Sequence, residues 1–80
     1  MGYTLFTNKV RGPHNVYKSY MLVGYIFVEE NVIKTYLVGS KGKDKEIMST
    51  PRVKDIPVVY YIEEAYASLC RINEENIETE

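Results

Sequence analysis

Few residues in this chain have the types and spacing that chemistry needs. It carries one histidine, His14, and one cysteine, Cys70. His14 lies in "RGPHN", a stretch that reads as a surface turn. A catalytic histidine needs a nucleophile or an orienting acid beside it, and the sequence fixes neither. Cys70 falls on or next to the apolar side of a helical segment, where a buried thiol is inert. One cysteine cannot close an intramolecular disulfide, and one Cys with one His cannot supply the four ligands of a structural zinc site. Glu63-Glu64 and Glu74-Glu75 are doublets, but adjacent residues on a helix point apart. They therefore read as solvated acidic surface, not as an acid/base pair or a metal cage. "GSKGKDK", residues 39–45, lacks the G-x-x-x-x-G-K-[ST] spacing of a phosphate-binding loop. The expectation is a protein that is not an enzyme and takes no cofactor and no metal.

Two patterns remain that suit binding. Lys18, Lys34, Lys41, Lys43, Lys45, Arg52 and Lys54 make the first part of the chain basic. Residues 1–54 hold nine Lys/Arg against four Asp/Glu, whereas residues 55–80 hold one against seven, a basic half followed by an acidic half. Eight tyrosines in eighty residues is the second pattern. Rings on a sheet flanked by lysines can stack the bases of single-stranded nucleic acid. Tyrosine also packs its ring in a strand while wetting its hydroxyl, and it is enriched in protein interfaces.

The elements that must position these residues follow from periodicity. Residues 3–7, 16–29 and 32–39 are β-prone, and 47–50 suits a short edge strand ended by Pro51. Glu29-Glu30-Asn31 is the expected reversal between the second and third of these. Val58, Ile62, Ala65, Leu69 and Ile72 recur at helical spacing, widened by Val59, Tyr66 and Cys70, and predict a helix over about 56–73 with Asp55 as N-cap and Pro57 in its first turn. Glu74, Glu75 and Glu78 oppose the macrodipole at its far end, so residues 74–80 should form a frayed acidic tail behind a single domain of residues 1–73. The expected fold is α+β: a small antiparallel sheet of three to four strands under one C-terminal helix.

That fold leaves a difficulty at residues 20–28. Strict alternation divides the central strand into Tyr20, Leu22, Gly24, Ile26 and Val28 on one side and Met21, Val23, Tyr25 and Phe27 on the other. Both sets are apolar, and one helix covers one face. Burying a large apolar side chain is worth roughly 1.5–3 kcal/mol, so four left wet would forgo an amount comparable to the stability of a small domain. Three arrangements resolve this. The sheet curls at Gly24 into a half-barrel; two copies stack into a homodimer; or Met21, Val23, Tyr25 and Phe27 dock another macromolecule.

The first function expected is a small interaction protein: a regulator or inhibitor that binds another protein, homodimeric, of a phage or mobile-element type. Glu63 and Glu64 would offer an acidic helix face to a basic partner. The alternative is a nucleic-acid-binding β module using the basic residues above. No apolar run reaches the roughly 20 residues of a membrane span, and the lack of a signal-like segment and of paired cysteines sets the expectation of a cytoplasmic protein.

Overall fold

The fold is an antiparallel sheet packed against one helix. A computed structural model describes residues 2–7, 12–39 and 42–79, with side chains as far as Glu75. Its elements are β1 (Tyr3–Phe6), β2 (His14–Lys18), β3 (Met21–Val28), β4 (Val32–Leu37), β5 (Lys45–Pro51) and α1 (Val58–Thr79). The strands lie side by side in chain order, each antiparallel to the next. The α+β class expected from the sequence is the class observed, with five strands where three or four were expected.

The extra strand comes from residues 16–29, which form a hairpin and not one long strand. Ser19 and Tyr20 reverse the chain between Lys18 and Met21, which pair across the turn. A two-residue hairpin turn needs a positive φ at its first central position, and Ser19 adopts φ 58°. The Ser19 N–H donates to the Gly2 carbonyl at 3.1 Å and ties the turn to the start of β1. The expected reversal at residues 29–31 is present, closed by the Glu29 N–H donating to the Val32 carbonyl at 2.9 Å.

Each of two ladders carries one extra residue. Val16 faces Gly24 while Tyr17 faces Leu22, which leaves Val23 unpaired between them. Thr35 faces Met48 while Tyr36 faces Glu46, which leaves Ile47 unpaired. A bulge turns two consecutive side chains toward one face. Val23 and Gly24 both lie toward the helix, and Ile47 and Met48 both pack against the core. The alternation expected for residues 20–28 is therefore broken at Val23, and the face grouping changes on its N-terminal side.

The core lies between sheet and helix. Val16, Val23, Ile26, Ile33 and Leu37 supply the sheet side; Tyr61, Ile62, Ala65 and Leu69 supply the helix side. At Gly24 the two layers come close together. A Cβ there would lie 2.5 Å from Leu69 Cδ2, so only glycine lets Leu69 seat against the strand. The Thr35 hydroxyl is fully buried in this layer without a hydrogen-bond partner.

α1 starts at Val58, directly after Pro57, so Asp55 lies upstream of the N-cap and not on it. The Val53 N–H donates to the Tyr61 hydroxyl at 2.8 Å and fixes the entry loop. The helix runs from that contact beside β5 to Tyr3 and Lys18 of β1 and β2. It runs on to Thr79 and does not end near residue 73. Near residue 73 it makes a contact absent from the sequence pattern. Lys18 Nζ and the Tyr3 hydroxyl both donate to Glu74 Oε2, at 2.7 and 2.6 Å, and Asn73 Nδ2 donates to the Tyr3 oxygen at 3.0 Å. These bonds offset the unfavourable position of Glu74 near a helix C-terminus.

Candidate binding surface

The face of the sheet away from α1 is covered by no other element among the described residues. Register assigns its side chains. Tyr3, Leu5 and Val16 pack toward the core, so Thr4, Phe6, Asn15 and Tyr17, alternating with them, point the other way. Tyr25 and Phe27 alternate with Ile26, and Tyr36 and Lys34 pair with them across the ladder. Leu22, opposite Tyr17, joins this side.

Five rings pave the surface. Tyr25 stacks on Tyr36 with centroids 5.2 Å apart, and Phe27 meets both edge-on at 5.5 and 5.8 Å. Phe6 and Tyr17 form a separate perpendicular pair at 5.4 Å. Such geometries suit the ring quadrupoles, and the central rings half-bury one another. The Tyr25 hydroxyl donates to Asp44 Oδ2 at 2.5 Å. That hydrogen bond, with smaller help from burial, pushes the Tyr25 pKa up to about 12. It also pins the loop before β5 to the ring cluster.

Beside the Phe6–Tyr17 pair lies a cleft of about 510 Å³ lined by Thr4, Phe6, Asn15, Tyr17, Ser19 and Tyr20. Phe6 is 58% exposed and Tyr20 fully so. A second exposed apolar group, Val53, Ile56, Val59 and Tyr60, surrounds the start of α1, with the exposed Glu63 and Glu64 continuing along the helix.

The residues singled out from the sequence separate into different places. Tyr25 and Phe27 are on the open face as expected. Val23, expected beside them, is 7% exposed and belongs to the core because of the bulge. Met21, opposite Lys18 at the hairpin end, is 70% exposed and lies on the helix side of the sheet by register. Val59, expected to widen the buried helical stripe, faces solvent.

The described basic residues lie on several elements. Lys18 is paired with Glu74 on the helix side. Lys34 stands on the open face opposite Phe27. Lys43, Lys45 and Lys54 are exposed on the loops and edge strand, and Lys41 lies outside the described residues. Arg52 is structural: its N–H donates to the Asn31 carbonyl at 2.9 Å and its guanidinium to the Glu29 carbonyl at 3.1 Å.

His14 is in β2 and not in a turn, and burial lowers its pKa. Burial likewise pushes the Cys70 thiol up, which keeps it protonated at neutral pH. Among the described residues no cluster of His, Cys, Asp or Glu has the arrangement to hold a metal ion, and no helix is long and apolar enough to cross a membrane.

Sequence reasoning missed Phe6, Tyr17 and Tyr36 as partners of Tyr25 and Phe27. Their parity within β1, β2 and β4 was readable, but the pairing that gathers them was not. Comparisons with protein-family models, with curated proteins and with solved structures return no match.

Proposed function

We propose that this chain acts by binding another protein through the ring-paved face of its sheet, as a regulator or inhibitor and not as a catalyst. One observation carries the reading. Among the described residues, no element covers the face that carries Phe6, Tyr17, Tyr25, Phe27 and Tyr36, while the opposite face takes the aliphatic core. Tyrosine-rich surfaces bind with large contact area at low side-chain entropy cost. Glu63 and Glu64, on the outer side of α1, point away from this face and are available to a basic surface elsewhere on the partner.

Site-directed photo-crosslinking tests the reading. The chain carries a benzophenone side chain in place of Phe27, and in a second preparation in place of Arg71 on the outer helix side. Each is irradiated in a lysate of the organism that carries the gene. A protein joined only at position 27, and then shown to bind the purified chain in titration, supports the reading. The same products from both positions, or none from either, overturn it.

Lys34 among the rings favours a second reading, a module that stacks single-stranded nucleic acid. Oligonucleotide binding that weakens steeply with salt would select it. A homodimer built on the same face would show as a concentration-dependent mass in sedimentation, lost in the Phe27→Lys variant.

A further inference from the structure

We infer that the outer side of the first turns of α1, with the loop that enters it, is a second docking surface, and that its occupant is a segment of another protein carrying Lys or Arg beside apolar side chains. This goes beyond the ring-face reading and does not rest on it, since the rings lie on the outer side of the sheet and this surface on the outer side of the helix. Of the seven large apolar side chains exposed among the described residues, four fall within residues 53–60: Val53, Ile56, Val59 and Tyr60, each between 42% and 61% exposed. Local structure holds them together. The Ile56 N–H donates to the Val53 carbonyl at 3.1 Å, and the Tyr60 N–H to the Pro57 carbonyl at 3.1 Å. The Val53 N–H is anchored on the hydroxyl of the buried Tyr61. The surface is therefore preformed, which lowers the ordering cost of binding. All four side chains lie outside the core, and an exposed apolar patch rimmed by polar groups marks an interaction site.

Charge selects the occupant. Glu63 follows Val59 by four residues and Tyr60 by three, and Glu64 follows Tyr60 by four, so both carboxylates share the outer side of the helix with these apolar groups. Both are exposed, and neither they nor Asp55 make an ion pair among the described residues. Lys54 and Asp55 are adjacent in the entry loop and cancel, and the Arg52 guanidinium is turned to the Glu29 carbonyl. Glu63 and Glu64 therefore set the sign of the surface. Ala67, exposed and seven residues beyond Tyr60, extends the same line without bulk. Arg71 closes it with a positive charge held to Glu75 at 3.6 Å. Two unpaired carboxylates repel a nucleic acid or an anionic lipid surface. A second copy laid helix on helix would bring the same carboxylates of both copies together, which like-charge repulsion opposes. A basic, apolar-bearing segment meets both needs. Its apolar side chains cover Val59 and Tyr60, and its cations pair with carboxylates that the fold leaves unpaired.

The test is an NMR titration of the intact chain at about 0.15 M salt, where charges more than about 8 Å apart are largely screened and surviving binding reports contact. The probes are an amphipathic peptide of leucine and lysine, a twin with serine for leucine, and a twin with glutamate for lysine. The expected result is saturable shifts at Val53, Ile56, Val59, Tyr60, Glu63 and Glu64 with the leucine–lysine peptide, and none with either twin. Glu63→Gln combined with Glu64→Gln, and separately Tyr60→Ala, all at exposed positions, should each weaken binding about tenfold or more while thermal unfolding stays unchanged. No binding would overturn the inference. So would equal binding of the serine twin, which needs charge alone, equal binding of the glutamate twin, which needs apolar contact alone, or shifts confined to Tyr25, Phe27 and their neighbours. The same shifts on concentrating the free chain would give the surface to a second copy, and the same shifts with an oligothymidylate would give it to nucleic acid; either overturns the inference. Its failure leaves the ring-face reading standing, because none of these variants touches that face, and failure of the cross-link at position 27 leaves this inference standing.

Discussion

Replacing Gly24 by alanine tests how closely helix and sheet are fitted. The new Cβ would lie 2.5 and 2.8 Å from the two Leu69 methyls and 2.5 Å from the Tyr36 carbonyl oxygen. Carbon atoms prefer about 3.5–4.0 Å, so each contact is short by about 1 Å. The Leu69 methyls can rotate away, but the Tyr36 oxygen belongs to the β4 backbone and moves only with the strand. Overpacking of this kind costs about 1–3 kcal/mol. Glycine-to-alanine exchange returns about 0.4–1 kcal/mol by stiffening the unfolded chain. The balance spans roughly 0–2.6 kcal/mol, and the Tyr36 backbone oxygen at 2.5 Å places the expected destabilisation in the upper half. Leu69→Ala alone, at a fully buried site, should cost about 2–5 kcal/mol. In the double variant the vacated space accepts the new methyl, so the summed cost should fall short of additivity by about 1 kcal/mol. Urea unfolding followed by circular dichroism measures all three, with an unchanged m-value as the check on comparability. A Gly24→Ala variant as stable as the parent, or strict additivity in the double variant, would refute the close approach.

Thr35→Val should raise stability by about 1–2 kcal/mol in the same assay, since it removes a buried hydroxyl with no partner. Tyr25 should ionise near 12 in an alkaline titration followed by NMR, and Asp44→Asn should return it toward 10. The fold holds Tyr25 protonated, so its contribution to stability is complete below the ordinary tyrosine range and is lost as pH climbs through 10 toward 12. Glu74 should titrate below the ordinary glutamate range because Lys18 first and Tyr3 second bond its carboxylate. Its contribution is present above that range and lost as pH falls through the depressed value. Carboxyl NMR titration should show the shift diminished in Lys18→Met, together with faster amide exchange at Asn73 and Glu74.

The helix was legible because its core face is written at helical spacing: Ile62, Ala65 and Leu69 are buried as the pattern requires. Its length was not. The macrodipole argument weighs only what lies on the helix itself, whereas Glu74 is bonded by Lys18 and Tyr3, contributed from strands more than fifty residues away. The β2–β3 turn was hidden for a different reason. Lys18-Ser19-Tyr20-Met21 contains no Gly, Asn or Pro, and Ser19 accepts a positive φ that its type does not advertise. The bulge at Val23 then broke the parity on which the face assignment rested. One inserted residue is enough, because the period is two. Tyr25, Phe27, Ile26 and Val28 lie beyond the bulge and keep the faces expected of them; Leu22, Met21 and Val23 lie at or before it and do not.

That broken parity explains why a strand can be greasy on both sides in a chain with a single helix. The two faces differ in the kind of apolar residue they hold. Aliphatic side chains, Val16, Val23, Ile26, Ile33 and Leu37, have no polar atom to hydrate and gather under α1. The uncovered face is given mainly to rings that shelter one another, three of which, Tyr17, Tyr25 and Tyr36, end in hydroxyls that water or Asp44 can satisfy. Water is tolerated there without a second layer, and stability rests on the helix side. Changes to an exposed ring such as Phe6 should consequently alter binding while leaving folding intact. Among the described residues, this division places the aliphatic core under α1 and leaves the rings on the face that no other element covers.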